Sequence, residues 1–429
     1  MTTLAITDGQ VLLPDMTVER ADVLVDTDSG EILEIGANLD GDEELDASEG
    51  LVIPGLVNAH CHVPMTLFRS NADDKPLDPW LREDIWPVEA ALTAEDVRAG
   101  AELGILEMIK NGVTTFADQY FFMPEVAGAV EAGGVRGLLG YGIITEGKNR
   151  EESEQELDDG VAFAREYDGY ADGRVKTAVM PHSLTTVEEW ALEEAAERAA
   201  VYDLPLHPHA NETTNEVDPI VEEYGVRPLE YADDLGLLGE DTFLAHCVHV
   251  DETEIELLAE TGTGVAHCPA ANMKLNSGIA PVQEMLDAGV TVGIGTDGPA
   301  SNNDLDPFDD VRDAAMVGKL AADDAGAVDA PTVVEMVTRG SAEVLGFDSG
   351  RIEPGANADL AVLDLEAPHL TPRHDLVSLL AYAARGSDVR HTICDGQVLM
   401  ADREVLTLDE DEVRETASRQ ARALLERAD

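Results

Sequence analysis

The chain has 429 residues, of which 88 are acidic and 27 basic, for a net charge of −61. A field of that sign repels nucleic acid and anionic membrane, so neither is an expected partner. The 44 % apolar content supports a large core, no uncharged apolar run is long enough to span a bilayer, and apolar periodicity persists throughout, which excludes a disordered acidic polymer. Lysine occurs only at positions 75, 110, 148, 176, 274 and 319, a surface suited to a saline cytoplasm where salt screens repulsion over a few ångström. The opening MTTLAITDGQVLLPDMTVER lacks a basic region followed by an apolar core and a cleavage site, so a cytoplasmic location is expected. Cys61, Cys247, Cys268 and Cys394 show no paired spacing, which argues against both a disulfide framework and a thiolate zinc site.

Residues 1 to 50 read as short strands with hairpin signals at Asp8-Gly9 and Ser29-Gly30. The stretch 51–62, LVIPGLVNAHCH, reads as one buried parallel strand with a turn-permitting Pro54-Gly55, closed by two histidines. The β texture of the start returns in residues 350–365 and 389–405. We therefore expect a small discontinuous β-sandwich built from residues 1–55 and 350–429, with residues 56–349 inserted between them.

Within the insert, seven further strand-like runs follow at 114–120, 136–144, 175–183, 205–212, 241–248, 264–269 and 291–297, making eight. Helical patterns fill the gaps, among them one from Thr93 to a terminal Gly112 and one opened by a Thr186/Glu189 capping box. Eight strands alternating with helices predict a (β/α)8 TIM barrel, whose functional residues gather at the C-terminal ends of the strands. His60 and His62 end the first run, His182 the fourth, His209 the fifth, His246 the sixth and Asp297 the eighth. Any one of them alone is by default a hydrogen-bonded core residue. Their common placement at strand ends argues for a site.

Residues two apart on a strand share a face, so His60 and His62 converge. With His209 and Asp297 they make three neutral nitrogens and one carboxylate, suited to one divalent metal, Zn²⁺ first and Fe²⁺ as the alternative, with room for a water. A binuclear centre would need a bridging anion such as a carbamylated lysine at the end of strand four. That position holds His182, and Lys176 lies too early.

The motifs PGLVNAHCH, HANE, LAHCVH, HCPAANMKLNSGIAP and GTDGPASNN, in this order, resemble the amidohydrolase superfamily, in particular its 5'-methylthioadenosine/S-adenosylhomocysteine deaminase branch, which includes 5'-deoxyadenosine deaminases. The signature of deaminases acting on bases in nucleic acids, H-x-E with P-C-x-x-C, is absent. The resemblance implies metal ligands at His60, His62, His209 and Asp297. It implies proton delivery by Glu212 to the purine ring nitrogen, proton acceptance by Asp297, and a hydrogen bond from His246 to the attacking hydroxide. It implies nucleoside contacts from Glu89 to the ribose hydroxyls, from His182 near ribose and base, and from Arg150. The plain alternatives are a surface carboxylate for Glu212, a solvated helix start for Arg150, and a turn-forming role for Ser301, which otherwise lines the pocket. His207, His249 and His267 read as structural.

Some relatives place a second arginine about ten residues before Arg150, where this chain has Gly140, Tyr141 and Gly142. That departure favours a short uncharged 5' group, as in methylthioadenosine, 5'-deoxyadenosine or adenosine, over S-adenosylhomocysteine. Competing readings are guanine deamination, s-triazine amino- or chlorohydrolysis, and a non-catalytic scaffold on the same fold. The assembly state is open, a homo-oligomer included.

Overall fold

The chain breaks at Gly55, and the break organises the molecule. In the computed structural model, which describes residues 2–428, the apolar run expected as one strand divides into Gly50–Pro54 and Leu56–Cys61, which belong to different sheets. The Gly55 N–H donates to the Asp359 carbonyl at 2.8 Å. A Cβ at Gly55 would lie 2.2 Å from the Thr114 hydroxyl oxygen, so a side chain has no room where one sheet hands over to the next.

Gly50–Pro54 enters a seven-stranded sheet in the order Glu404–Val405, Gln397–Ala401, Val389–Cys394, Leu360–Asp364, Gly50–Pro54, Gln10–Leu12, Val18–Arg20. Both ends of the chain thus interleave, with Val52 paired antiparallel to Val362 and Leu51 to Leu363. A second sheet of four strands, Glu31–Gly36, Asp22–Asp26, Thr3–Thr7 and Glu43–Asp46, shares one apolar core with it through Ile6, Val11, Val23, Val52 and Val362. The Ser29-Gly30 turn joins a true hairpin, in which Asp26 pairs with Glu31. Asp8-Gly9 does not, because Thr3–Thr7 and Gln10–Leu12 lie in different sheets.

The remaining strands are parallel and form two groups. Val175–Thr177, Arg136–Ile143, Val113–Tyr120 and Leu56–Cys61 lie side by side in that order, with Met180–Pro181 also on Arg136–Ile143; His209–Ala210, Phe243–His246, Gly264–His267 and Val292–Ile294 make the second group. Single bridges from Val179 to Leu206 and from Ser183 to His209 connect the groups along one margin. At the other, the Asp297 N–H donates to the His60 carbonyl at 3.0 Å. Small residues, Ala59, Ala117 and Ala266, pack with Val57, Leu138 and Phe243 between the strands. Several strands are shorter than their apolar runs. Pro181, Pro205 and Pro208 fall in the fourth and fifth runs and have no N–H to give to a ladder.

Helices cover the parallel strands. Ala94–Lys110, the helix expected from Thr93, opens with a capping box between Thr93 and Asp96. Glu189–Tyr202 has no such box at Thr186; the Thr186 hydroxyl instead meets His182 Nδ1 at 2.8 Å. The C-terminal helix Glu410–Ala428 packs against Ala94–Lys110, held by ion pairs from Arg427 to Asp96 and from Lys110 to Glu410. Among the described residues no helix is long and apolar enough to cross a membrane.

One buried ion pair ties the terminal sheet to the parallel strands. Arg136 Nε donates to Asp359 Oδ2 at 2.8 Å and Nη2 to Asp395 Oδ1 at 2.7 Å, and Asp359 also accepts from the Ser349 hydroxyl and the Asp395 N–H. Removing the cation would strand a buried carboxylate. Arg136→Met should therefore cost about 3–5 kcal/mol in denaturant unfolding, and a loss under about 1 kcal/mol would show that the pair does not secure this junction.

Candidate metal centre and active site

Five histidines at strand ends converge, and each is aimed by the partner of its Nδ1. His62 Nδ1 donates to the Gln119 carbonyl at 2.6 Å and His209 Nδ1 to the His182 carbonyl at 2.6 Å. His60 Nδ1 meets His207 Nε2 at 2.7 Å, and His207 Nδ1 meets the Phe243 carbonyl at 3.0 Å. A carbonyl only accepts, so the His207 proton sits on Nδ1, its Nε2 accepts, and His60 donates from Nδ1. In all three rings the Nε2 lone pair is left to face inward.

There the carboxylate of Asp297 stands, with Oδ1 at 3.2 Å from His62 Nε2 and 3.5 Å from His60 Nε2. Its other oxygen accepts the Ser301 hydroxyl at 2.7 Å. His60, His62 and Asp297 bring ligand atoms within 4.8 Å of one another, and so do His60, His209 and His246. His60 Nε2 is fully buried and has no hydrogen-bond partner. A buried lone pair without a partner is costly, and three inward-facing imidazole nitrogens beside one carboxylate are the donor set of a divalent metal with an open position. The residues fit a cation. His207, read from sequence as structural, proves to be the group that turns His60 toward it.

The backbone at this cluster is unusual. His246, Cys247, Asp297 and Asn211 all have left-handed φ, at 74°, 46°, 59° and 54°. Such conformations cost of order 1–3 kcal/mol each for non-glycine residues and gather at functional sites. Gly295 closes the approach, since a Cβ there would lie 2.9 Å from the His60 backbone.

A cavity of about 270 Å³ opens over the cluster. His62, Glu89, His182, His209, Glu212, His246, Asp297 and Ser301 all line it. Arg150 does not: it stacks on Trp190 at 3.3 Å and pairs with Glu154 one helical turn away. The arginine expected against substrate is held elsewhere by the ring and the carboxylate.

The side chains around the cavity hold one another in place. Burial raises the pKa of Glu212, with His246 opposing and Asp297 adding to the rise. Glu212 Oε1 accepts the Ser277 hydroxyl at 3.1 Å, and Oε2 lies 3.7 Å from His246 Nε2. His246 Nδ1 is fixed by the Asn272 side-chain oxygen at 2.9 Å. Burial pushes Glu89 up to about 7 against the opposing hydrogen bond from Tyr120, 2.8 Å long. Burial, helped by the neighbouring imidazoles, lowers His182 to about 3 and keeps it neutral. Tyr120 carries no local signal in the sequence, and although Asn272 and Ser277 lie in the HCPAANMKLNSGIAP motif, only the fold shows which side chains they meet.

Parallel strands that deliver imidazoles and a carboxylate to one buried centre define a metal-binding hydrolase site. The amidohydrolase family pattern matches residues 51–399, and the chain belongs to that family. It is 66 % identical, over the whole of both chains, to a protein of Haloarcula marismortui named 5-methylthioadenosine/S-adenosylhomocysteine deaminase. It is 45 % identical, over 96 % of this chain and 95 % of the other, to one of Methanosarcina mazei named 5'-deoxyadenosine deaminase. Among solved structures, an adenosine deaminase of Xanthomonas campestris with bound zinc superposes with a TM-score of 0.93 at 36 % identity, over 99 % of this chain and 98 % of that one. Family and neighbour together support a divalent metal at the imidazole cluster.

Orienting partners of ligand histidines typically weigh about 10- to 100-fold in metal affinity. His207→Ala should weaken the metal by that factor in chelator competition, and unchanged affinity would show that His60 is held without it.

Proposed function

We propose that this protein is a metal-dependent aminohydrolase that converts an adenosine-type nucleoside to its inosine counterpart and ammonia. The observation that carries the reading is the convergence of His60, His62, His209 and Asp297 at the floor of one cavity, beside a buried Glu212 whose pKa burial raises. Those four residues would hold the cation, and the zinc-bound neighbour favours zinc. A divalent cation at such a site lowers the pKa of water from about 15.7 to about 7 and so makes a nucleophile at neutral pH.

The chain's own residues supply the rest. Asp297 accepts the proton of the attacking water, with Ser301 holding its far oxygen. Glu212, whose burial favours its protonated form, delivers a proton to the ring nitrogen beside the attacked carbon. His246 gives its Nδ1–H to the Asn272 oxygen, so its Nε2 accepts a hydrogen bond from the attacking water and holds that oxygen in place as the tetrahedral centre develops. Glu89, steadied by Tyr120, accepts from the ribose hydroxyls, and neutral His182 contacts the nucleoside between ribose and base. Leu81, Trp86, Phe121 and Ile144 line the cavity beside Asp78, Arg82 and Glu146, and a short uncharged 5' group such as methylthio or hydrogen is favoured by Gly140, Tyr141 and Gly142, which stand where some relatives carry a second arginine. Arg150, engaged with Trp190, has no part in this reading.

The two parallel groups fit a closed (β/α)8 barrel spanning residues 56–349, with residues 1–55 and 350–429 as the appended β domain. The acid-rich surface fits a saline cytoplasm.

The nucleoside assay is decisive: protein supplied with zinc should shift adenine absorbance to hypoxanthine absorbance with methylthioadenosine or 5'-deoxyadenosine, and no shift with any adenosine analogue would reject the reading. Glu212→Gln should keep the metal and lose at least about 100-fold in kcat; a near-normal rate would remove Glu212 from the reaction.

The Glu89 carboxyl adds a pH test. With its pKa near 7 in the folded chain, the carboxylate that accepts from the ribose hydroxyls accumulates as pH rises. KM should fall between about pH 6 and 8, and Glu89→Gln should abolish that dependence; a KM flat with pH in the parent enzyme would contradict the ribose role. The folded form binds a proton that the unfolded chain releases between about pH 4.5 and 7, so this group's contribution to stability declines as pH rises through that window.

A further inference from the structure

Behind Glu212 lies a second buried carboxyl that the reaction leaves unused. Glu216, four residues on in the helix Thr214–Tyr224, is 8 % exposed and borders the same cavity. Its Oε2 accepts the backbone N–H of Glu212 at 2.9 Å, and its Oε1 is buried with no partner. A glutamate at this point of a helix ordinarily reaches back to the N-cap residue. Thr213 is the N-cap here and makes no side-chain cap, and Glu216 reaches past it to Glu212.

The corner that carries Glu212 is gripped on its other side as well. Asn211, in its left-handed conformation, donates its side-chain amide to both oxygens of Glu254, at 3.1 and 3.2 Å. The buried Glu254 carboxylate also takes Arg227 and the Leu229 N–H. Glu212 is thereby pinned before and at its own backbone, and its carboxyl comes to rest on Ser277. Among the described residues no cation touches Glu216. Burial and the neighbouring Glu212 charge raise its pKa to about 8, with the Glu212 N–H opposing, so a neutral acid fits the unpartnered oxygen.

We propose that Glu216 is a positioning residue for Glu212: its carboxyl fixes the backbone from which the proton-delivering side chain reaches the substrate. The inference rests on the catalytic role read for Glu212 above. Displacing a reacting group by about 1 Å costs on the order of 100-fold in rate, so holding this one corner still is a catalytic requirement.

The test is a double-mutant cycle with 5'-deoxyadenosine. Glu216→Ala should lower kcat about 10- to 100-fold with KM within about threefold, and Glu216→Gln, which keeps an oxygen for the Glu212 N–H and stays neutral, should retain at least about a fifth of the rate. In a Glu212→Gln background, Glu216→Ala should cost less than about threefold more, because the group it positions is already disabled. A parent-like Glu216→Ala rate, or the same fold loss in both backgrounds, would overturn the proposal. A crystal structure of Glu216→Ala reads the same point without turnover. A Glu212 carboxyl displaced from Ser277 supports the role even if no adenosine analogue is a substrate, and one still seated on Ser277 overturns it.

Discussion

The site depends on where three imidazole protons go. His62 and His209 give theirs to the backbone carbonyls of Gln119 and His182, and His60 gives its own to His207, which leans on the Phe243 carbonyl. Ligand orientation is therefore written into main-chain register. In a parallel sheet a slip of one residue turns every side chain to the opposite face, so the cluster can assemble only when neighbouring strands are in their native alignment. The same bonds settle the tautomer and raise the basicity of the inward nitrogen.

Around that arrangement the fold accepts strain and removes bulk. Left-handed backbone at His246, Cys247 and Asp297 redirects the chain just where strands end, and small residues at Ala59, Ala117 and Ala266 let the strands close up beneath the cluster. Gly295 allows the last strand to pass against His60. Each departure from local preference sits within reach of the cavity, and the regular helices and the apolar core of the terminal sheets bear the energetic cost. Buried carboxyls follow the same division. Asp359 is answered by an arginine, whereas Glu89, Glu212 and Glu216 sit where burial raises their pKa values.

Much of this was legible in the chain because period and position are local properties. Apolar runs closed by His60, His62, His209, His246 and Asp297 announce strand ends without any knowledge of which strands are neighbours. Partners are another matter. Nothing near His207 in sequence says that its ring will meet His60, and Ser277, Asn272 and Tyr120 reach Glu212, His246 and Glu89 only across the fold. Turn chemistry is blind to the same degree: Asp8-Gly9 looks like a hairpin whether its flanking strands pair or part. Arg150 shows the limit for charged side chains, since the pull of Trp190 is invisible until the helices are packed, even though the pairing with Glu154 one turn along is local. Prolines shortened the fourth and fifth strands although the apolar pattern ran through them.

The pairing of Val52 with Val362 and of Leu51 with Leu363 bears on how the protein is made. The strand Leu56–Cys61, which brings His60 to the site, follows this ladder after Gly55, so one partner of the anchoring strand, Leu360–Asp364, is made late in synthesis while the other, Gln10–Leu12, is made first. A nascent polypeptide can fold its domains only as their sequence emerges, and loop closure over so long a separation is slow. Until then the anchoring strand is paired on one edge only, and a product truncated before Leu360 would carry the ligands with the other edge open.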